Sequence, residues 1–273
     1  MIRDITIGQY YPAKSVIHKL DPRTKLFGTL VFIISVFLFH SIAGYAVATV
    51  FLAGMILIST VPVKFIFKGL KAIFMILLIT MVFNIFLTPG EALVSFGIFK
   101  ITKEGLSMAV RMAIRLVYLV IGSSLMTLTT TPNQLTDGLE KSLRPLNKIH
   151  VPVHEIAMMM SIALRFIPIL LEETDKIMKA QIARGADFES GNILQRAKAM
   201  IPILVPLFVS AFRRANDLAM AMEARCYHGG DGRTKMKPLQ YHRNDRVAYL
   251  ITLLYLVAIV GAGRYIPFKI WIF

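Results

Sequence analysis

The chain has 273 residues, of which 56% are hydrophobic and only 17% are charged, and its mean hydropathy is +0.63. Soluble domains hold about 45–50% apolar and about 25% charged residues, so this composition predicts helices in a lipid bilayer. The net charge of +15 fits the Lys and Arg that collect in cytoplasmic loops, and no nucleic-acid motif favours a nucleic-acid partner. The single cysteine, Cys226, excludes an internal disulfide.

Five apolar stretches predict an all-α integral membrane protein with about five transmembrane helices, because a spanning helix needs roughly 20 mostly apolar residues. The stretches lie at about 26–39, 41–60, 72–88, 106–129 and 247–264. The fourth stretch carries Arg111 and Arg115, four residues apart and therefore on one helical face. These two arginines either mark a functional site inside the protein or lie at the end of a span that begins later.

Basic residues are distributed unevenly between the two ends of these stretches. Residues 1–25 carry five Lys and Arg and the connection 61–71 carries three, whereas residues 89–105 balance two Lys against two Glu. The positive-inside rule therefore predicts a multi-pass protein of the cell membrane with a cytoplasmic N-terminus. After five spans, the C-terminus is expected outside.

The predicted spans divide the chain into three parts. Residues 1–129 form an N-terminal membrane region with four spans, 130–246 form a large cytoplasmic region, and 247–273 hold the final transmembrane helix. The cytoplasmic region is expected to carry the long helices described next.

Three helices are predicted within the cytoplasmic region. The first opens at Thr131 and runs to about His150, because Pro132 fits a first helical turn. Two long helices follow, at about 155–184 and 193–226, with apolar residues at helical spacing. Gly185 is well placed to cap the first of them.

The two long helices contain apolar stretches at 156–171 and 199–212. Pro202, Pro206 and a length of 14 uncharged residues make the second stretch more typical of an interfacial or buried helix than of a span. We interpret both stretches as amphipathic helices under the membrane or packed on other subunits. The alternative is two additional spans, which would leave the final orientation unchanged.

The two long helices end in the same way. Their last residues are Ala183-Arg184-Gly185 and Ala224-Arg225-Cys226. An arginine at a helix C-terminus is stabilised by the helix dipole, and its planar guanidinium suits carboxylates of a partner. One such arginine is common on protein surfaces, but two copies 41 residues apart, each closing a long helix, predict a paired docking site.

The order of these motifs resembles the transmembrane coupling (T) component of energy-coupling factor transporters over essentially the whole chain. Three regions carry the resemblance: Leu20-Asp21-Pro22-Arg23-Thr24-Lys25-Leu26 before the first span, Leu164-Arg165-Phe166-Ile167-Pro168 followed by Glu172-Glu173, and the two helix ends with Ala-Arg. Each motif is modest alone, whereas their order and spacing are specific.

The resemblance implies a non-catalytic subunit of an ATP-driven importer for vitamins or metal ions. Two ABC-type ATPase subunits would dock on Ala183, Arg184, Gly185, Ala224, Arg225 and Cys226, and would themselves bind ATP and Mg. A small substrate-binding membrane subunit would be the third partner, beside the lipid bilayer. No phosphate-binding loop, metal-ligand pattern or nucleophile turn occurs in the sequence, so no catalytic residue, cofactor or metal is assigned to this chain.

One residue departs from the family pattern. The second helix end carries Cys226 where the family has glycine, which puts the local turn in question rather than the arginine contact. Gly229-Gly230 could supply that turn a few residues later.

Two other classes of protein fit the two arginine-ended helices and the few candidate catalytic residues less well. A permease subunit of a conventional binding-protein-dependent importer would dock its ATPases through one short cytoplasmic loop. A membrane-embedded lipid-modifying enzyme would need convergent acids, histidines or metal ligands, and the candidates are few: Asn84, Glu104, Arg111 and Arg115.

The predicted orientation can be tested by cysteine labelling in a Cys226→Ser background. A cysteine at Lys64 should react only after the membrane is made permeable, and a cysteine at Glu91 should react in intact cells, because the positive-inside rule places them on opposite sides. Labelling of position 64 by an impermeant reagent in intact cells would show that the orientation is inverted.

Overall fold

The structure is a computed structural model that describes residues 10–39, 41–96, 99–188, 190, 192–230, 236 and 238–265. Arg3 of the predicted cytoplasmic N-terminus and the end of the predicted final segment lie outside the described residues. Within the described part, the chain forms eight α-helices. They are α1 (Pro22–Leu38), α2 (Ile42–Ser59), α3 (Val63–Leu87), α4 (Lys103–Thr129), α5 (Pro132–Leu143), α6 (Val153–Ala183), α7 (Ile193–Glu223) and α8 (Arg243–Tyr265).

Short polar side chains cap the N-termini of several of these helices. Asp21 accepts a hydrogen bond from the backbone N–H of Arg23 at 2.9 Å, and Pro22 follows it as the first helical residue of α1. Ser41 and Thr102 cap α2 and α4 in the same way. Such caps satisfy N–H groups that have no partner within the helix, so local sequence fixes where these helices begin.

The prediction of an all-α membrane protein is confirmed. Among the described residues, five helices are long and apolar enough to cross a membrane: α2, α4, α6, α7 and α8. Helix α3 bends by 56° between Val63–Lys71 and Ile73–Leu87, and its second arm coincides with the predicted span 72–88. Helix α1 has 17 residues, one fewer than the shortest helix among those five, and rises about 26 Å.

Helices α6 and α7 reach the length and hydropathy of spans, although we interpret their apolar stretches as amphipathic and cytoplasmic. Of the 18 most apolar consecutive residues, only 11% in α6 and 6% in α7 are buried within this chain. Both interpretations therefore expect another apolar environment around them, either lipid or a partner subunit.

A β-hairpin, which the sequence analysis did not predict, connects α3 to α4. Strand β1 (Ala92–Phe96) pairs antiparallel with β2 (Phe99–Thr102), and Ala92 lies opposite Thr102. The strands are only five and four residues long, too short for alternation to be recognised in the sequence.

The predicted helix from Thr131 to His150 is correct for its first part only. Helix α5 ends at Leu143, and a 3-10 helix follows from Arg144 to Ile149. Pro145 explains the change, because its nitrogen has no hydrogen to donate to a carbonyl one turn earlier. The two long helices are confirmed, at Val153–Ala183 and Ile193–Glu223.

The chain divides into two compact units. Among the described residues, the larger unit joins residues 10–138 to residues 239–265, and the smaller unit lies within residues 139–238. The predicted three-part division refers to the membrane and stays a prediction.

The core of the larger unit lies among α1, α2, α4 and α8. Phe32 and Val36 of α1 are 4% and 0% exposed, and Tyr255 of α8 is 5% exposed. The hydroxyl groups of Ser35 and Tyr255 are 2.7 Å apart and form a buried hydrogen bond between α1 and α8. Gly122 lets α4 approach α1, because a Cβ there would lie 2.7 Å from the Phe32 ring.

A buried polar cluster holds the first turn of α1 to α8 and α4. The carboxylate of Asp245, which is fully buried, accepts hydrogen bonds from the backbone N–H groups of Asp21 at 2.8 Å and His242 at 2.7 Å. The Lys25 ammonium donates to the carbonyl oxygens of Thr129 at 2.8 Å and His18 at 3.2 Å. The predicted N-terminal motif is therefore a structural joint of the larger unit.

Burial, hydrogen bonds and nearby charges shift the pKa values of Asp21 and Lys25. Burial raises the pKa of Asp21, but hydrogen bonds from Arg23 outweigh it and hold that pKa below its usual value. Burial lowers the pKa of Lys25 to about 8, against the opposing effect of Asp245 and Asp21. Lys25 lies one residue before the predicted first span, so its charge stays at the edge of the apolar region.

Removing the Asp245 carboxylate should destabilise the larger unit. Asp245→Ala leaves the buried N–H group of Asp21 without a partner, so we expect a loss of about 2 kcal/mol in the free energy of unfolding. Asp245→Asn should lose less, because its amide oxygen still accepts one of the two hydrogen bonds, although its NH2 group faces the other N–H donor. The measurement is thermal unfolding of the purified chain in detergent.

The control for this experiment is Glu91→Ala, because Glu91 is exposed in the same unit. It should change stability by less than about 0.5 kcal/mol. Equal melting temperatures for Asp245→Ala and Glu91→Ala would contradict the role of the joint.

Candidate functional site

The end of α6 is a regular C-terminal cap. The N–H of Gly185 donates to the carbonyl of Ile182 at 2.9 Å, and the N–H of Ala186 donates to that of Gln181 at 3.0 Å. Gly185 has a φ of +87°, the left-handed conformation that this pair of bonds requires. The sequence prediction for Gly185 is confirmed.

The end of α7 closes with the same two hydrogen bonds. The N–H of Cys226 donates to the carbonyl of Glu223 at 2.8 Å, and the N–H of Tyr227 donates to that of Met222 at 3.1 Å. Cys226 has a φ of 52° and thus stands where Gly185 stands in the first copy. The hypothesis that Gly229-Gly230 supplies this turn is wrong, because the turn is complete at Cys226.

Gly229 and Gly230, which follow α7, bring the chain against the start of α6. Gly229 also has a positive φ, of +99°, and Gly230 packs against the side chain of His154 at the start of α6. A Cβ at Gly230 would lie 2.3 Å from the His154 ring. His154 in turn lies 2.9 Å from a carboxylate oxygen of Glu140. The chain that follows the second arginine is thereby seated on α6, a contact that sequence spacing did not reveal.

All six predicted docking residues are exposed: Ala183, Arg184, Gly185, Ala224, Arg225 and Cys226. Among the described residues, neither Arg184 nor Arg225 forms an ion pair. Two exposed guanidinium groups at helix ends, each beside a small alanine, present donors that a partner can reach. The structure does not bring the two arginines into contact with each other.

The surroundings of the two arginines differ. Arg225 lines a groove of about 650 Å³ in the smaller unit, together with Arg165 and Phe166 of α6, which belong to the second region of the family resemblance. At the first copy, a Cβ on Gly185 would meet nothing within 4 Å. The first copy is thus an open helix end, whereas the second copy forms one wall of a groove.

An ion pair joins α6 to α7 at equivalent positions. The Arg214 guanidinium lies 2.8 Å from the Glu173 carboxylate. Glu173 precedes Arg184 by 11 residues and Arg214 precedes Arg225 by 11 residues, so the two helices touch at matching points of the repeat. Each arginine therefore lies about 16 Å along its helix from the same contact.

Arg111 and Arg115 of α4 have local partners. Arg111 donates to the Ser107 hydroxyl at 3.3 Å, and the Arg115 guanidinium lies 5.4 Å from the centre of the Phe37 ring. Phe37 is the penultimate residue of α1. The contact thus supports the interpretation that these arginines lie at the end of a span rather than in a functional site.

The described residues contain no group of three or more His, Cys, Asp or Glu side chains that could hold a metal ion. The polar side chains with the clearest geometry are instead the exposed helix ends and the ion pair between α6 and α7. These features fit a protein that contacts other subunits.

Comparison with known proteins gives a consistent result. The family model described as "Cobalt transport protein" (CbiQ) matches residues 13–236. A protein of Clostridium kluyveri is 59% identical over 256 residues, which cover 93% of this chain and 95% of that protein. Relatives in Ruminiclostridium cellulolyticum and Bacillus subtilis are 55% and 48% identical over 260 and 261 residues, covering 95% of this chain and 97% and 98% of their own lengths.

Fold and relatives together define a multi-pass α-helical membrane component of a transport system. Each of the three relatives carries the name energy-coupling factor transporter transmembrane protein EcfT. The chain belongs to the cobalt transport protein family, together with these energy-coupling factor transmembrane proteins. The resemblance described from the motifs is therefore confirmed.

The positive φ at Cys226 yields a stability prediction. A residue with a Cβ costs about 1 kcal/mol more than glycine in the left-handed region, so Cys226→Gly should raise the free energy of unfolding by about 1 kcal/mol. Gly185→Ala should lower it by a similar amount, because open space does not relieve the backbone strain.

The measurement is chemical or thermal unfolding of the smaller unit within the full chain, with Cys226→Ala as the control. This control removes the thiol but keeps the Cβ, so it should leave stability unchanged. A gain in Cys226→Ala equal to that in Cys226→Gly would assign the effect to the thiol instead of the turn.

Proposed function

We propose that this chain is the coupling subunit of an ATP-driven importer for a vitamin or metal ion. Two ABC-type ATPase subunits dock on its two arginine-ended helices, and a small substrate-binding membrane subunit packs on its apolar surface. ATP and Mg bind to the partner ATPases, and this chain hydrolyses no ATP itself. The names of the relatives support the transporter assignment at the level of the complex.

One observation carries this proposal: two long helices end in the same cap with an exposed arginine. Arg184 and Arg225 precede residues with φ values of +87° and 52°, so the backbone turns away directly after each guanidinium-bearing residue. The helix dipole favours a cation at this place, and a carboxylate or carbonyl group of a partner completes the contact. Two helix ends with the same cap and the same arginine suit two ATPase subunits of similar shape.

The ion pair between Glu173 and Arg214 makes the two helices a linked pair. The ion pair lies at matching positions of both helices, equally far from Arg184 and Arg225. When a partner displaces the end of one helix, the ion pair therefore resists its movement relative to the other helix. Coupling of this kind requires an element whose position both partners influence. We infer that α6 and α7 transmit the movement of the ATPases to the substrate-binding subunit.

The apolar stretch of α7 supports the position of the third partner. Leu204, Phe208 and Phe212 follow at intervals of four residues and are 45%, 62% and 68% exposed. This spacing puts them on one face of the helix. An exposed stripe of large apolar side chains is typical of an interface, and a membrane-embedded partner would cover it.

Truncating the two arginines tests the docking proposal. Loss of a buried, charge-assisted contact costs roughly 2–5 kcal/mol, whereas a surface ion pair contributes only about 0–1 kcal/mol. Arg184→Ala and Arg225→Ala should each release ATPase subunits from the purified complex, and the double change should abolish ATPase attachment and transport. Arg→Lys should restore attachment only partly, because an ammonium lacks the planar fork.

The matched control is Arg213→Ala, an exposed arginine of α7 outside both motifs. It should leave the ATPase content, measured by quantitative mass spectrometry of the complex, at the wild-type level. Membrane insertion should persist in every variant. A double alanine variant that keeps its full complement of ATPase subunits would exclude the arginines as the docking residues.

A further inference from the structure

The larger unit contains an apolar cleft that no step of the proposed coupling uses. Its volume is about 210 Å³, and it lies among α1, α2, α4 and α8, four helices that contain or coincide with predicted spans. Its lining includes Gly28, Phe32, Leu52, Leu125, Val247 and Ile251. Val247 and Ile251 are 54% and 44% exposed, so the cleft opens past α8 toward the surroundings of the helices.

Gly28 keeps the cleft open. Among the described residues, a Cβ at this position would meet only the Thr252 hydroxyl, at 3.8 Å, so the missing side chain leaves space between α1 and α8. The glycine on the opposite wall behaves differently: a Cβ at Gly122 would collide with the Phe32 ring at 2.7 Å. Gly122 thus serves close packing, whereas Gly28 makes no such close approach to the described residues.

One end of the cleft is polar, and a hydroxyl group there lacks a hydrogen-bond partner among the described residues. Thr24 lies one helical turn before Gly28, is 5% exposed, and its hydroxyl has no hydrogen-bond partner among the described residues. Buried hydroxyl groups are almost always bonded, so this one points to an absent acceptor. Lys25 also lines this end and uses two of its three ammonium hydrogens, on the carbonyl groups of His18 and Thr129.

The charges around the polar end favour an anion. Lys19, Arg243 and Arg246 are exposed in the segments that form this end. The two acids of the same region, Asp21 and Asp245, are 5% and 0% exposed, and their carboxylates accept hydrogen bonds from this chain's own groups. A ligand that approaches the mouth of the cleft therefore meets mostly positive charge.

We propose that the cleft binds one acyl chain of an anionic phospholipid of the cytoplasmic leaflet. The chain lies along α1 from Thr24 to Phe32, a rise of about 12 Å, and fills the gap beside Gly28. An oxygen of the ester or phosphate group accepts hydrogen bonds from the Thr24 hydroxyl and the Lys25 ammonium. Anionic lipids are enriched in that leaflet, where the basic N-terminal residues are predicted to lie. The proposal does not depend on the docking of ATPases.

The test uses the full-length chain in vesicles of phosphatidylcholine and phosphatidylglycerol that contain a trace of phosphatidylglycerol with a photoactivatable acyl chain. After illumination, peptide mass spectrometry should find adducts on the cleft side of α4 and α8, at Met126 and near Ile251. Gly28→Leu fills the gap and should lower these adducts about fivefold or more. Thr252→Leu narrows the cleft from α8 and should lower them as well, which guards against a folding defect of one variant.

The control is Gly54→Leu in α2, where a Cβ would meet nothing within 4 Å and which does not line the cleft. It should keep the wild-type adducts. Adducts spread evenly over the lipid-facing helices, or unchanged in both cleft variants, would overturn the site.

The head group is tested separately. Thr24→Val, which keeps the shape of the side chain, and a phosphatidylcholine probe in place of phosphatidylglycerol should each give fewer cleft adducts. Equal labelling by both probes, together with no effect of Thr24→Val, would overturn the recognition of an anionic head group.

Discussion

The larger unit depends on the hydrogen bonds that the Asp245 carboxylate accepts. This carboxylate is fully buried and bonds the N–H group of Asp21, 224 residues earlier in the chain, so it connects the first helix of the unit to its last. After α1, the chain builds α2, α3, α4 and the start of α5 in the larger unit, and then continues through residues 139–238. In the order of the chain, residues 139–238 are consequently an insertion between two parts of the larger unit, and lengthening such an insertion adds little loop-closure entropy.

Much of the architecture could be predicted because it depends on local signals. Polar caps, apolar stretches and the helical spacing of α6 and α7 are properties of neighbouring residues, and they located the long helices to within a few positions at each end. The β-hairpin escaped because its strands are very short. The Glu173–Arg214 pair escaped for another reason: acidic and basic residues are numerous on both helices, and only the packing in space selects which of them meet.

Cys226 shows where residue preferences mislead. Glycine is favoured in a left-handed cap, so its absence suggested that the turn moved to Gly229-Gly230. The hydrogen bonds to Met222 and Glu223 instead keep the turn at its place, because two satisfied carbonyl groups outweigh about 1 kcal/mol of strain. Gly230, which the sequence analysis assigned to that turn, instead packs against the side chain of His154.

The two copies of the helix end therefore differ in how freely they can change. At the first copy, glycine already provides the turn without strain. At the second copy, the backbone tolerates a side chain, and that side chain lines a groove beside Arg165. Position 226 can thus acquire size, polarity or reactivity by single substitutions while the arginine before it keeps its direction. Because position 226 of the duplicated motif can vary, two otherwise equivalent contacts can diverge there in the course of evolution.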